Sequence, residues 1–159
     1  MKKHPLDKGS FWIIMIVAVL FVYVSVYDMF YLHLKLYESD FFFYLGILFI
    51  VLGFVLRFYC EALLQKQFSV FVVILENHQL ITKGPYAYVR HPIYSAGILK
   101  AFGFVLVTNS FLGLFALLFL LIPALLYRLR VEEKVLVGHF GQVYLRYKKR
   151  VKAIIPYIF

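Results

Sequence analysis

Apolar residues run almost unbroken from Phe11 to Tyr31, with only Ser25 and Asp28 interrupting, and again from Phe41 to Phe58. A helix needs about 20 such residues to cross the hydrocarbon of a bilayer. The two runs predict two membrane-spanning helices joined by the short polar stretch Lys35–Asp40. The second ends near Arg57 and continues towards Glu61 as a wetted helix end. Gln65–Pro92 is different in kind. Phe68–Leu75 is β-branched and aromatic and reads as extended, and Glu76-Asn77-His78 reads as a turn. Gly84-Pro85 and His91-Pro92 forbid one continuous helix. Non-helical chain with this many polar groups belongs at the membrane–water boundary or under protein cover. Ile93–Val107 and Phe111–Tyr127 then form a helical hairpin around Thr108-Asn109-Ser110. Its first arm is short for a full span, and Pro123 predicts a kink in the second. Ser95, Ala96, Gly97, Ala101 and Gly103 are small enough for close helix contact.

From Arg128 the pattern turns charged and amphipathic. Leu129, Leu136, Phe140, Tyr144 and Tyr147 fall near one helical face, weakened locally by Gly138 and Gly141. The expected fold is an all-α integral membrane protein of about four transmembrane helices, including a C-terminal hairpin, followed by an amphipathic cytoplasmic helix. It is read as one domain over 1–159, with two N-terminal spans in 1–64 and, in 65–159, a core that holds the polar clusters.

Composition strengthens the membrane reading. The 159 residues are 64% hydrophobic and only 16% charged, where soluble domains are nearer half apolar and a quarter charged. A net charge of +9 in so apolar a chain marks cytoplasmic loops and anionic headgroups, and no basic-aromatic nucleic-acid module is present. The apolar run after Lys2, Lys3 and Lys8 is too long for a signal peptide and lacks a small-x-small cleavage site, so it reads as a retained helix. Lys and Arg concentrate in the N-terminal tail, Gln65–Pro92 and the C-terminal tail. Four crossings with both termini cytoplasmic satisfy that asymmetry. The single cysteine, Cys60, reads as a packed small hydrophobe. His78, His91 and His139 have no metal-ligand spacing, so no metal is expected.

Two polar clusters carry candidate chemistry: Thr82–Tyr94 with His78 before it, and Arg128–Tyr147. A hairpin that leaves from the first and returns at the second brings both to one face. Read singly, the residues leave alternatives. Arg90 and His91 would serve equally as headgroup anchors at a helix start. Arg128 and Glu132, one turn apart, would serve as a solvated ion pair. Glu133 points elsewhere on the helix, Lys100 would snorkel or act within an apolar arm, and Asp28, His33 and His139 read as structural.

Together the clusters resemble a known family. Gly-Pro-Tyr-x-x-x-Arg-His-Pro-x-Tyr-x-x-Gly is met by Gly84–Gly97, and Glu-Glu-x-x-Leu-x-x-x-Phe-Gly-x-x-Tyr-x-x-Tyr by Glu132–Tyr147. Both motifs are similar to those of the isoprenylcysteine carboxyl methyltransferases and the related phospholipid methyltransferases. The tail Tyr144–Val151, with Pro156 beyond, is closest to the isoprenylcysteine branch. The resemblance covers roughly Phe68–Pro156, and the first two helices match only in being apolar. It implies S-adenosylmethionine as cofactor, with His78, Gln79, Leu80, Ile81, Tyr86, His91, Pro92, Ile93 and Tyr94 lining its pocket and Glu132 completing it. Arg128 would orient the substrate.

These residue types suit that chemistry. Tyrosine faces can meet a sulfonium cation or adenine, Glu132 an ammonium or ribose, and His91 a carboxylate. A bidentate arginine can place an ionised acceptor. The expected activity is carboxyl O-methylation of a lipophilic or prenylcysteine-like acceptor, within membrane lipid and without nucleic acid. The membrane would be the plasma membrane in a prokaryote, which the small size favours, or the endoplasmic reticulum in a eukaryote. The alternatives are methylation of a phospholipid amine or other lipid nucleophile, and a sterol-reductase-like enzyme using NADPH.

Overall fold

The computed structural model describes residues 9–65, 68–69 and 79–156. Helix α1 (Ser10–Tyr27) runs on through a π-helical turn, Asp28–Leu32. Helix α2 (Asp40–Leu64) returns, and α3 (Pro92–Thr108) runs beside it. Helix α4 (Phe111–Ala116) passes through a second π turn, Leu117–Leu121, into α5 (Ile122–Phe140), and a short α6 (Gln142–Arg150) follows. Ser10–Leu32, Asp40–Leu64 and Phe111–Phe140 are long and apolar enough to cross a membrane, and α3 is a shorter apolar helix. The expected strand over Phe68–Leu75 and turn at Glu76–His78 lie, apart from Phe68 and Ser69, outside the described residues.

Local chemistry sets the helix ends. Ser39 Oγ caps α2 by accepting from Phe41 N at 3.3 Å, with Asp40 in the first turn where the helix dipole favours negative charge. Pro92 starts α3, where its missing N–H costs nothing. Asn109, left-handed at φ 50°, ends it, and Ser110 caps α4 by accepting from Gly113 N at 2.8 Å. The hairpin expected around Thr108-Asn109-Ser110 is therefore present. The irregularity expected from Pro123 takes the form of the π turn immediately before it. Pro123 has no N–H for the carbonyl of Phe119, and the widened turn absorbs the mismatch.

Two details differ from the sequence expectation. No new helix begins at Arg128: α5 continues unbroken through it to Phe140. The break comes at Gly141, whose φ of 53° a β-carbon would strain. The expected single amphipathic face is thus split between α5 and α6. Leu129 leaves it altogether and packs against Ala153 and Ile154.

Small residues bring α2 and α3 together. A β-carbon on Gly46 would lie 2.7 Å from Gly103 O, and one on Gly103 would lie 2.6 Å from Gly46 O. Gly53 likewise packs on the Ala96 carbonyl and the Lys100 stem. The Lys100 ammonium sits 4.5 Å over the Phe54 ring. Ser95 and Gly97, also expected in helix contacts, are used otherwise. Ser95 Oγ donates to Ile154 O at 2.6 Å, and the missing side chain of Gly97 faces open space. Phe21, Ala101, Val105, Leu117, Leu121 and Leu125 form the core between α1, α3 and α5. Outward, Trp12, Ile16, Tyr44, Val55 and Phe58 are exposed, as a lipid-facing surface requires.

At the hairpin-turn end, Asp28 is buried. Its Oδ2 accepts from Ser110 Oγ at 2.6 Å and Leu112 N at 3.0 Å, and its Oδ1 from Leu34 N at 3.1 Å. Asn109 Oδ1 accepts from Leu36 N at 2.9 Å and Tyr37 N at 3.1 Å, while Nδ2 donates to Tyr37 O at 2.9 Å. The α1–α2 loop is thereby tied to the α3–α4 turn.

Candidate active site

Both motif clusters lie at the opposite end. Gly84, at φ 61°, starts a 3-10 turn over Gly84–Ala87, and a β-carbon there would meet Leu63 at 2.8 Å. That turn points Tyr86 inward, where it is buried. His91, at φ −126° and ψ 61°, lies outside the helical region that a residue before proline avoids, and Pro92 opens α3 with Tyr94 in its first turn. From the other side, Leu125, Arg128, Glu132, Leu136 and Phe140 recur every three or four residues, so α5 presents them on one face. Tyr144 and Tyr147 follow from α6.

These side chains enclose a cavity of about 300 Å³. Gln79, Leu80, Ile81, Tyr86, His91, Pro92, Ile93, Tyr94, Arg128 and Glu132 all line it, while His78 lies outside the described residues. Tyr94 Oη donates to Glu132 Oε2 at 2.7 Å, joining α3 to α5 across the space. His91 Nδ1 is 3.9 Å from Glu132 Oε1. Arg128 is buried, donates from Nη1 to Ser10 Oγ at 3.3 Å, and has its guanidinium carbon 5.8 Å from the Phe11 ring centroid. It is therefore not a solvated surface cation.

Arg90 and Glu133 are not headgroup anchors or idle neighbours. Their side chains are 7% and 9% exposed, with Arg90 Nη2 2.6 Å from Glu133 Oε1 and Nε 2.9 Å from the same oxygen. Lys148 Nζ holds Oε2, and Arg90 Nη1 donates to Lys148 O at 3.3 Å and to Val151 O. Breaking a buried pair of this kind strands a charge and typically costs about 3–5 kcal/mol. The tail is held along its backbone as well: Arg90 N donates to Lys152 O at 2.7 Å and His91 N to Ala153 O at 2.9 Å. Tyr147 Oη donates to Tyr86 O.

Three buried polar atoms of the cavity walls, Tyr86 Oη, Tyr144 Oη and His91 Nε2, have no hydrogen-bond partner among the described residues. His91 Nε2 is 3.4 Å from Glu133 Oε1 but is not aligned to bond it. A stranded buried polar atom costs about 1–3 kcal/mol, and three on one cavity mark a place where a polar ligand is wanted. Burial pushes the Tyr86 phenol well above its ordinary range, with Cys60 and Glu132 adding to it. Burial also raises Tyr144, against opposition from Arg90, and takes Tyr147 up to about 12. All three are therefore neutral hydrogen-bonding groups at physiological pH.

Sequence reasoning passed over several contributors. Tyr144 and Tyr147 stood in the motif but were read only as an apolar face, although buried phenols that need partners were the available signal. Arg57, paired with Glu61 at 2.7 Å, and Ile14 also reach the cavity. Nothing in the uniformly apolar α1 distinguishes Ser10, Phe11 or Ile14 in advance. Among the described residues, no group of three or more His, Cys, Asp or Glu side chains could hold a metal.

The phospholipid methyltransferase family profile matches residues 41–143. The protein-S-isoprenylcysteine O-methyltransferase of Schizosaccharomyces pombe is 35% identical over 112 residues, which are 69% of this chain and 48% of the relative. The Homo sapiens enzyme of that name is 34% identical over 121 residues, 71% of this chain and 40% of the relative. A solved eukaryotic intramembrane Ras methyltransferase, isoprenylcysteine carboxyl methyltransferase, superposes with TM-score 0.72 at 27% identity, covering 91% of this chain and 52% of that one. The chain thus spans about half or less of the length of these relatives. The profile match runs from α2 into α6 and takes in the whole first motif and the second as far as Gly141, and on that footing the chain belongs to the phospholipid methyltransferase family of membrane proteins.

Proposed function

We propose that the chain is an S-adenosylmethionine-dependent methyltransferase that methylates the carboxylate of a lipophilic, prenylcysteine-like acceptor at the membrane face. The observation that carries the proposal is one cavity shared by a buried arginine, a tyrosine-bound glutamate and three polar atoms without a partner among the described residues. The family supplies the methyl-transfer class, and the isoprenylcysteine relatives supply the acceptor chemistry.

The donor set fits S-adenosylmethionine, which when bound supplies an electrophilic methyl on a sulfonium. Glu132, fixed by Tyr94, offers a carboxylate to its ammonium or ribose. Tyr86 and Tyr144 offer neutral hydroxyls, His91 Nε2 offers a polar atom, and Gln79, Leu80 and Ile81 supply wall and backbone contacts. Aromatic faces in the cavity favour a cation without competing for its methyl. An acceptor carboxylate is ionised near neutral pH, so no residue need act as general base. Arg128 then places the acceptor, and a guanidinium held by Ser10 and Phe11 loses little freedom in doing so. The two-sided setting suits a lipophilic acceptor from the bilayer and a polar donor from water. With the basic tails and the Gln65–Pro92 segment inside, both termini are cytoplasmic. The membrane is the plasma membrane in a prokaryotic source and the endoplasmic reticulum in a eukaryotic one.

The test is methyl transfer from labelled S-adenosylmethionine to a farnesylcysteine analogue and, in parallel, to aminophospholipid. Label in the farnesylcysteine ester is expected. Label only in the lipid amine rejects the carboxylate acceptor and keeps the methyltransferase.

A further inference from the structure

A second hollow lies on the far side of Arg90, which lines both. Its volume is about 400 Å³, and α5, the end of α6 and the tail after it form it with Arg90. Leu126, Leu129 and Ala153 line it together with the basic residues Arg130, Lys148 and Lys152. Among the described residues Glu133 is the one acidic side chain there, and it is already paired with Arg90 and Lys148. The side chains of Arg130 and Lys152 have no hydrogen-bond or ion-pair partner among the described residues and are exposed.

The order of residues along α5 decides what would fill such a place. Leu126 and Leu129 continue the apolar stretch, and Arg130 stands where the helix turns charged. The hollow therefore runs from an apolar floor, on the bilayer side, to a cationic rim. A free phosphate would need only the rim. A phospholipid needs both parts, with its glycerol and first methylenes on the leucines and its phosphate among the cations. Basic pockets at the ends of membrane helices suit anionic headgroups, and each basic residue near the surface contributes about a five-fold gain in affinity.

We propose that this hollow binds the headgroup of an anionic phospholipid through Arg130, Lys152 and Lys148. The site is separate from the methyl-transfer cavity, and its test needs no turnover. Thermal unfolding of the full chain in neutral detergent would be followed while phosphatidylglycerol, phosphatidylcholine or inorganic phosphate is added. Phosphatidylglycerol alone should raise the melting temperature. The double variant Arg130→Gln/Lys152→Gln should weaken that response about thirty-fold in apparent affinity, and each single variant about five-fold. The control Arg146→Gln/Lys149→Gln removes the same charge from exposed positions on α6 outside the hollow and should respond as the unmodified chain does. Four results would overturn the assignment: equal loss in both double variants, equal responses to the two lipids, stabilisation by inorganic phosphate alone, or no response to phosphatidylglycerol.

Discussion

The two ends of the helix bundle both bury polar groups, and they treat them in opposite ways. At the hairpin-turn end, Asp28, Asn109 and Ser110 are matched to partners contributed by the α1–α2 loop and the α3–α4 turn. At the motif end, Arg90 and Glu133 are equally well matched, but beside them Tyr86, Tyr144 and His91 keep atoms with no hydrogen-bond partner among the described residues. A satisfied network stabilises and fixes geometry, whereas an unsatisfied one reserves affinity for something else. Buried polarity alone therefore does not mark function in this chain. Its incompleteness does.

The largest effect should come from Arg128→Ala. Methylation of a carboxylate acceptor should fall by roughly a thousandfold in kcat/KM, as for loss of a buried charge partner, while calorimetric binding of S-adenosylhomocysteine stays within about three-fold. Equal loss of both would make Arg128 a structural residue. Asp28→Ala should do the reverse. Three donors at the turn end lose their acceptor, at a cost of about 3 kcal/mol in unfolding experiments, and the activity of the folded fraction should be unchanged. A specific loss of turnover there would abolish the distinction between the ends.

Tyr144→Phe sharpens it further. Removing a hydroxyl that has no partner should leave the melting temperature unchanged or slightly raised, yet weaken cofactor binding by about five-fold, the worth of one hydrogen bond. A clear drop in stability would mean that the hydroxyl is satisfied within the protein. The smallest effect lies in alkali. Burial holds the Tyr147 phenol up at about 12, above its unfolded value near 10. Its contribution is thus complete below about pH 10 and fades as the pH climbs towards 12. Melting temperatures across that window should fall less steeply in Tyr147→Phe, with no difference in slope near neutrality, where the variant is simply lowered by the lost hydrogen bond to Tyr86 O.

Much of this was legible in the sequence because the decisive residues are punctuation. Pro92 starts a helix, Asn109-Ser110 turns it, and the hairpin then has to return Arg128 and Glu132 to the side of Tyr86–Tyr94. Adjacency hid the rest. Glu132 and Glu133 differ by one position and both approach His91, yet Glu132 is bonded by Tyr94 in the cavity, and only packing reveals that Glu133 is enclosed by Arg90 and Lys148. The contact of Arg128 with Ser10 joins positions more than a hundred residues apart, within a helix whose composition is uniform enough to carry no register. Gly141 was visible as a weak point, but whether it bends or breaks the helix depends on the left-handed φ it adopts.

The tail beside Arg90 is gripped through main-chain oxygens: those of Lys148 and Val151 by the guanidinium, of Lys152 and Ala153 by successive amides, and of Ile154 by Ser95. Such a grip reads shape rather than letters. Apart from Lys148, which holds Glu133, Lys152 in the proposed headgroup site, and a need for compact apolar residues at 153 and 154, substitutions along this strip should pass unnoticed, whereas deleting it would strip Arg90 of its backbone partners and open the second hollow. Variation between relatives would then make the strip look dispensable where the architecture can least do without it.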